Sequence, residues 1–192
     1  MALTDRTSTQ RASQDDAAAF QVLFTRYQGR IYNYVYRMVG DANEAQDLTQ
    51  DSFVKAYQAL QRGDVPDNPP AWLYRIASRT CLDALRRRRL IRWLPLGRLV
   101  ERRRAAGRDA DESPESHLIR AQERARVQQA LDQLPTRYRM VLLLREYEGL
   151  TYREIAEATG DSLSTVKVTL FRARERCRRE YQSLGGWDDE VP

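Results

Sequence analysis

Apolar residues recur every three or four positions over most of this chain, and that spacing limits its possible folds more than any other feature. One early segment places them at Phe20, Leu23, Phe24, Tyr27, Ile31, Val35 and Met38. This spacing gathers apolar side chains on one face of an α-helix, whereas a half-buried strand requires strict alternation. The sequence contains no alternating segment. We therefore expect an all-α protein.

Capping residues and helix breakers divide the pattern into individual helices. Ser13 and Asp16 have capping-box spacing and predict the start of the first apolar segment. This segment ends near Gly40 and is either one long helix or two abutting ones. Asp41 and Thr151 are each followed three residues later by Glu, the spacing of a capping box, and each predicts the start of a helix. Gly160 is expected to end the helix that Thr151 begins, and Ser162 to cap a last one.

A middle stretch without a sustained apolar face separates two helical regions. It contains Pro95, Gly97 and Gly107, which are typical of irregular backbone. We expect two small helical domains joined by a flexible linker and flanked by flexible tails. Their predicted bounds are 1–14 for the first tail, 15–89 for the first domain, 90–114 for the linker, 115–182 for the second domain and 183–192 for the last tail.

Composition excludes several classes of protein. The longest apolar run, Met140 to Leu144, is far shorter than the ~20 residues of a membrane span, so we expect no membrane insertion and a cytoplasmic location. Cys81 and Cys177 form no Cys-x-x-Cys motif, and the single histidine, His117, has no ligand-like neighbour. We therefore expect no metal and no cofactor.

Basic charge is concentrated in one segment. The chain has a net charge of +5, and residues 86–108 contain ten arginines but only one acidic residue, Glu101. A guanidinium group offers a planar pair of donors that suits phosphate. The distribution indicates a nucleic-acid partner, although a solvated linker would show the same run.

The last predicted helix has two distinct faces. Leu163, Val166, Leu170, Ala173 and Cys177 share the apolar face, so Cys177 is expected in the core. The other faces carry arginines and lysine around Val168 and Phe171. An α-helix with such a surface fits the DNA major groove, where donors contact base edges and apolar groups contact thymine methyls. The alternative is a plain amphipathic helix in a bundle.

Two helices of the first domain carry unusual charged faces. Glu44, Asp47 and Asp51 share one face, and only Lys55 lies within pairing range of them along the helix. That face would suit a basic partner helix, or it is simply solvated.

The next helix places an aromatic residue and cations on one face, at Trp72, Arg75, Arg79 and Arg86. Aromatic side chains stack on unpaired bases while arginines contact phosphates, so this face favours single-stranded or melting DNA. Alternatively, Trp72 anchors the core and the arginines are solvated.

These residues resemble the extracytoplasmic-function group of bacterial sigma factors, the RNA polymerase subunits that select promoters. AFQVLFTRYQGRIYNYVYRMVGDANEAQDLTQDSFVKAYQAL is similar to the first helices of sigma region 2, and PPAWLYRIASRTCLDALRRRR to its promoter-reading end. LDQLPTRYRMVLLLREYEGLTYREIAEATGDSLSTVKVTLFRARER resembles region 4. The order and spacing of the three strings strengthen the resemblance.

The resemblance implies a non-enzymatic subunit with several partners. They are the β′ clamp helices and the β flap of core RNA polymerase, promoter DNA, and an anti-sigma factor. The residues implied to contact the clamp helices are Asp47, Gln50 and Asp51.

The resemblance also implies two promoter-reading sites. The loop Gly63 to Pro70 and the helix after it would capture a flipped-out base of the melted minus-ten element, with contacts from Trp72, Arg75, Ser78, Arg79 and Thr80. The helix-turn-helix would read the minus-thirty-five element as duplex through Lys167, Val168, Phe171 and Arg172.

Two other classes of protein are considered. A conventional helix-turn-helix regulator would bind duplex DNA without polymerase, but it would need neither charged face of the first domain. An enzyme attached to a helix-turn-helix would need a catalytic constellation, and the sequence offers no clustered carboxylates and no Gly-rich phosphate loop.

Overall fold

Seven α-helices make up the described part of the chain. The computed structural model describes the backbone of residues 3–64, 66–93 and 114–185, and the side chains of residues 18, 20–64, 66–90 and 121–185. No strand occurs in these ranges, which confirms the all-α fold class. The helices are α1 (Leu3–Val39), α2 (Ala42–Gln61), α3 (Pro69–Trp93), α4 (Pro114–Gln133), α5 (Thr136–Glu146), α6 (Tyr152–Thr159) and α7 (Leu163–Ser183).

Helix α1 is longer than the sequence pattern predicts. It begins at Leu3, so the expected tail 1–14 is largely helical and the predicted boundary at residue 15 does not correspond to a helix start. No glycine or proline precedes Gly29, and the backbone therefore meets no breaker in this stretch. The predicted end near Gly40 is confirmed, since Gly40 adopts the left-handed conformation with φ of 76°.

Helices α1, α2 and α3 form the first helical unit. Their buried faces contribute Tyr34 from α1, Phe53 from α2 and Tyr74 from α3, and the Tyr34 and Tyr74 rings meet edge to face with centroids 5.5 Å apart. Cys81 of α3 is also buried here, and burial raises the pKa of its thiol to about 12. This thiol is therefore a neutral core side chain at physiological pH.

Helices α4 to α7 form the second helical unit, whose α6 and α7 are the predicted helix-turn-helix. The turn between these two helices is set by Gly160, which has a φ of 76°, and by Ser162, whose hydroxyl accepts from the Thr165 amide at 3.2 Å. The predicted linker 90–114 corresponds to the end of α3, the residues 94–113 and the start of α4, and 94–113 lie outside the described residues. The same is true of residues 186–192 in the predicted last tail.

A complete capping box begins α6. The Thr151 hydroxyl accepts from the Glu154 amide at 3.2 Å, and a Glu154 carboxylate oxygen accepts from the Thr151 amide at 2.7 Å. Hydrogen bonds from the Thr151 backbone and side chain lower the pKa of Glu154, because they favour its ionised form. The first turn of α6 is thus fixed by its own N-cap residue, Thr151, and by Glu154 within that turn.

Loss of this cap has a measurable effect on stability. We expect Thr151→Ala to lower the free energy of unfolding by about 1 kcal/mol, because an N-terminal amide of α6 loses its acceptor. Thr151→Ser should retain most of the stability, since serine caps equally well. Denaturant titrations of the full chain measure both changes.

The capping box also has a defined pH dependence. A lowered folded-state pKa gives stability that is present above the ordinary Glu pKa of 4.5 and is lost as pH falls through the folded value. Glu154→Gln should therefore destabilise the chain more at pH 7 than at acidic pH, where the carboxylate of the folded wild type becomes protonated. An equal difference in unfolding free energy at both pH values would contradict this assignment.

The two units contact each other through α3 with α6 and through α1 with α4 and α5. Part of this contact caps the end of α1, whose last carbonyl groups have no partner within the helix. Arg139 Nη1 donates to the Met38 carbonyl at 2.6 Å, and Gln128 Nε2 donates to the Arg37 carbonyl at 3.1 Å. The second unit therefore completes a helix of the first.

Within the described ranges, none of these helices combines the length and apolarity needed to cross a membrane.

Candidate nucleic-acid and partner surfaces

Helix α2 presents a small acidic surface to solvent. Asp47, Gln50 and Asp51 are all exposed, while Leu48 and Ser52 between and beside them face the core. In the described part of the chain, no basic side chain forms an ion pair with either aspartate. We call Asp47, Gln50 and Asp51 the acidic face of α2. It is available to a partner that carries positive charge.

The third acidic residue of the predicted face is already neutralised. Glu44 Oε2 lies 3.3 Å from Arg88 Nη1, so α3 supplies its counter-ion. Lys55, which the sequence places within reach of the aspartates, instead donates to the Thr80 hydroxyl at 3.0 Å. The acidic face is therefore shorter than the spacing suggests, and Lys55, one turn beyond Asp51, is engaged with α3 through Thr80.

An apolar groove adjoins the acidic face. It lies between α1 and α2, has a volume of about 1280 Å³, and is bordered by Gln50 itself. Its wall includes the rings of Phe20, Phe24 and Tyr57, with the Phe20 and Tyr57 centroids 5.0 Å apart. The sequence pattern placed Phe20 and Phe24 on the apolar face of one helix and did not single out Tyr57, because a groove arises only when two helices pack. The acidic face thus has an apolar border suited to a partner helix.

A second cavity, of about 640 Å³, lies between α2 and α3. Its cationic and aromatic wall is formed by Lys55, Arg62, Trp72, Arg75 and Arg79. The acidic residues Asp64 and Asp83 also line it. An aromatic ring among several cations suits a base with its phosphates. We call this space the α2–α3 cavity.

The residues predicted for the minus-ten element are not equally exposed. Arg75 and Arg79 are exposed, and Trp72 is half-buried, so that it both packs on the core and borders the α2–α3 cavity. Thr80 borders the cavity but is 2% exposed, with its hydroxyl accepting from Lys55. The two alternatives for Trp72, core anchor and surface aromatic, therefore both describe its position.

Ser78 does not lie at the surface. It is 2% exposed, and its hydroxyl lies 2.7 Å from the Tyr34 hydroxyl in the interior. Burial raises the pKa of Tyr34 well above its ordinary value, so this pair is neutral. The reason is helix geometry: Ser78 shares the inner face of α3 with Tyr74 and Cys81, at offsets of four and three residues. Its place in the fold is structural, as a positioning contact between α1 and α3.

Helix α7 keeps all four predicted reader residues on its outer face. Lys167, Val168, Phe171 and Arg172 are exposed, and Phe171 in particular is 68% exposed. On the apolar face predicted for the core, Val166, Leu170 and Ala173 are buried and Cys177 is half-buried against them. Leu163, in the first turn of the helix, is instead 46% exposed. The outer face therefore combines donors with apolar groups.

Two apolar side chains lie among the donors on the outer face of α7. Val168 is 49% exposed, and with Phe171 it forms an apolar patch one helical turn long, between Lys167 and Arg172. In a major groove, such a patch can contact thymine methyls while the flanking cations reach base edges or phosphates. This arrangement is typical of a recognition helix.

Comparison with protein families gives two matches. The family described as sigma-70 region 2 matches residues 23–91, and the family described as sigma-70, region 4 matches residues 124–177. The first range begins within α1, includes all of α2 and ends near the end of α3. The second begins within α4, includes all of α5 and α6 and ends within α7.

Individual proteins give similar results. The chain is 37% identical to the RNA polymerase sigma-H factor of Pseudomonas aeruginosa, over 94% of this chain and 95% of that protein. It is 32% identical to the ECF RNA polymerase sigma-E factor of Salmonella typhimurium, over 95% of this chain and 96% of that protein. The solved structure of the sigma factor RpoE from Bartonella quintana, in complex with the anti-sigma factor NepR, is 20% identical, with a TM-score of 0.68 over 85% of this chain and 97% of that one.

Proposed function

Because the chain belongs to the extracytoplasmic-function group of the sigma-70 family, and is thus a non-enzymatic subunit that directs RNA polymerase to promoters, we propose which of its surfaces performs each step. The acidic face of α2 binds the β′ clamp helices of the core enzyme. The α2–α3 cavity holds the melted non-template strand of the minus-ten element. The outer face of α7 reads the minus-thirty-five element as duplex.

One observation carries this assignment. A single chain presents an acidic face bordered by an apolar groove, a cavity with an aromatic ring among cations, and a recognition helix with exposed Phe171. A ligand-sensing regulator would need only the last of these. Three surfaces of different chemistry match the three partners of a sigma factor, namely a protein helix, single-stranded DNA and duplex DNA.

Within the α2–α3 cavity we assign the direct DNA contacts to Trp72, Arg75 and Arg79. Lys55 and Thr80 are paired with each other at the cavity wall, and Ser78 positions α3 from the inside. Moderate affinity at each DNA site suffices, because polymerase holds both sites on one promoter and raises their effective concentration.

The further partners follow from family membership. We propose that the β flap of polymerase binds the second helical unit, and that an anti-sigma factor controls the protein. We also propose that the protein acts in the cytoplasm, where it would meet polymerase and the chromosome. Residues 15–89 and 115–182 remain our proposed bounds for the two domains.

Transcription by purified core polymerase tests the proposal. We expect defined transcripts from a library of upstream sequences only when this protein is added. Tight binding to duplex DNA together with no effect on core polymerase would favour the conventional helix-turn-helix regulator.

Substitution of Trp72 tests the minus-ten assignment. We expect Trp72→Ala to weaken binding of single-stranded minus-ten DNA to the polymerase complex by about 1–3 kcal/mol, because one base loses its stacking partner. Trp72→Phe keeps an aromatic ring and should lose less. Fluorescence titration with labelled non-template strand measures both affinities. If Trp72→Ala lowers the melting temperature but leaves this affinity unchanged, Trp72 is a core anchor only.

A further inference from the structure

The first turn of α7 departs from the apolar face that the sequence predicts. The spacing places Leu163 on that face with Val166, yet Leu163 is 46% exposed while Val166 is fully buried. A single exposed leucine needs no explanation on most protein surfaces. Leu163 differs by its position, because it is the first residue of the helix that we assign to duplex reading.

The turn that presents Leu163 is fixed from both sides. Arg137 Nη2 of α5 pairs with Asp161 Oδ1 at 2.6 Å, directly before the N-cap residue. The Ser162 hydroxyl caps the helix and lies 2.9 Å from the Ser164 hydroxyl. The polar side chains of this turn thus bond to one another or to α5, and Leu163 is the apolar group that the turn presents to solvent.

The geometry of groove binding gives this turn a role. A recognition helix enters the major groove with its N-terminal residues, which contact base edges. The readers predicted for α7 begin only at its fifth residue, Lys167. Leu163 lies about one turn before Lys167 and on the same side of the helix. Four residues rise about 6 Å, or about two base pairs at about 3.4 Å each, so Leu163 would reach a base pair beyond those assigned to the predicted readers.

The chemistry of the side chain limits which base it recognises. All four bases offer hydrogen-bonding groups in the major groove, but the C5-methyl group of thymine is the one alkyl group there. A leucine packed on any other base edge would displace water from polar atoms without replacing its hydrogen bonds. Leu163 therefore suits a thymine.

We propose that Leu163 is a specificity-determining residue that contacts the methyl group of one further thymine, at the edge of the minus-thirty-five element. This thymine lies about two base pairs from the pair that Lys167 reaches. Val168 and Phe171 lie about one and two turns further along α7, so the three apolar side chains contact different base pairs. This inference rests on the duplex-reading function proposed above for α7.

Replacement of thymine by deoxyuridine tests the contact, because it removes only the methyl group and keeps the pairing with adenine. A preferred minus-thirty-five sequence is first selected from a promoter library with the complex of core polymerase and this protein. Each thymine of the selected duplex is then replaced in turn, and the affinity of the complex for each promoter is measured. We expect one replacement to weaken binding of the wild type about fourfold, the effect of one lost buried methyl group, and to leave binding of Leu163→Ala unchanged.

Two further variants serve as matched controls. Leu163→Met keeps an apolar side chain of similar volume and should remain sensitive to the same thymine. Leu184, the C-cap residue of α7, is 36% exposed and lies about 32 Å along the helix from Leu163. Leu184→Ala should therefore keep every thymine sensitivity of the wild type. Loss of the same sensitivity in Leu184→Ala would overturn the proposal.

Val168→Ala separates this inference from the proposed function, since it should abolish sensitivity to a different thymine. If neither Val168→Ala nor Leu163→Ala changes any sensitivity, duplex reading by these side chains of α7 is refuted. If Val168→Ala behaves as expected while Leu163→Ala responds to deoxyuridine as the wild type does, only the role of Leu163 is overturned. A selected element without a thymine at this edge would overturn that role as well. So would weaker binding of Leu163→Ala to core polymerase without DNA, with all thymine sensitivities kept, because Leu163 would then contact protein.

Discussion

Reversing the charge of the acidic face of α2 is expected to abolish promoter-dependent transcription. Asp47→Arg combined with Asp51→Arg replaces two exposed carboxylates with cations. A basic partner surface would then meet like charges, which costs several kcal/mol. We expect the affinity for core polymerase to fall at least ~100-fold and transcription to fall with it. Titration of core polymerase in the absence of DNA measures the loss.

Two comparisons make this result specific. Glu175→Arg changes an exposed carboxylate on α7 and should leave polymerase binding intact in an assay without DNA. Circular dichroism should show unchanged helicity and thermal unfolding for the double variant, because neither aspartate is buried. Normal polymerase binding by a folded double variant would show that the clamp helices do not bind the acidic face of α2.

Truncation of the apolar patch and its neighbour on α7 is expected to impair recognition of the minus-thirty-five element. Phe171→Ala removes a ring that is 68% exposed, and Arg172→Ala removes the adjacent cation. Together they should reduce transcription from a cognate promoter about 10- to 100-fold, since a single lost base contact costs about 1–3 kcal/mol. Polymerase binding without DNA should not change.

The salt dependence of promoter binding distinguishes the roles of the cations. If Lys167 contacts phosphate, Lys167→Ala should weaken binding to all sequences and reduce the slope of log K against log salt by about 1. Arg178→Ala, two turns beyond the patch, is the control because Arg178 pairs with Glu175 at 3.9 Å on the same helix. Equal losses from Arg178→Ala and Arg172→Ala would show that α7 contributes only general positive charge.

Local sequence signals predicted the helix ends that depend on adjacent residues. The caps at Asp41, Thr151 and Ser162 are confirmed, because each side chain bonds an amide three residues along. The start of α1 was predicted wrongly: the capping-box spacing of Ser13 and Asp16 indicated a helix start there, whereas α1 begins at Leu3 and runs through both residues.

Contacts between distant residues were beyond the reach of spacing arguments. Helical spacing offered Lys55 as the only partner for the acidic residues of α2, whereas Glu44 pairs with Arg88, 44 residues away. Glu148, whose carboxylate accepts from Arg30 and Tyr74, carried no signal at all, since these partners are 118 and 74 residues from it. Ser78 was assigned by its place in a motif, and only the packing of α3 showed that it faces inward. Periodicity identifies faces, and tertiary packing decides what each face meets.

The capped end of α1 links the position of the second unit to the helix that carries the acidic face. Arg88 of α3 approaches the Val39 carbonyl at 3.5 Å from within the first unit, but the Arg37 and Met38 carbonyls are held by Gln128 and Arg139 of the second. When the units separate, water must replace both of these donors. Only Gly40 and Asp41 separate this turn from α2. Because loss of these donors would loosen the turn, faster exchange of the Gly40 amide, which donates to the Tyr36 carbonyl, would report that the second unit no longer caps α1.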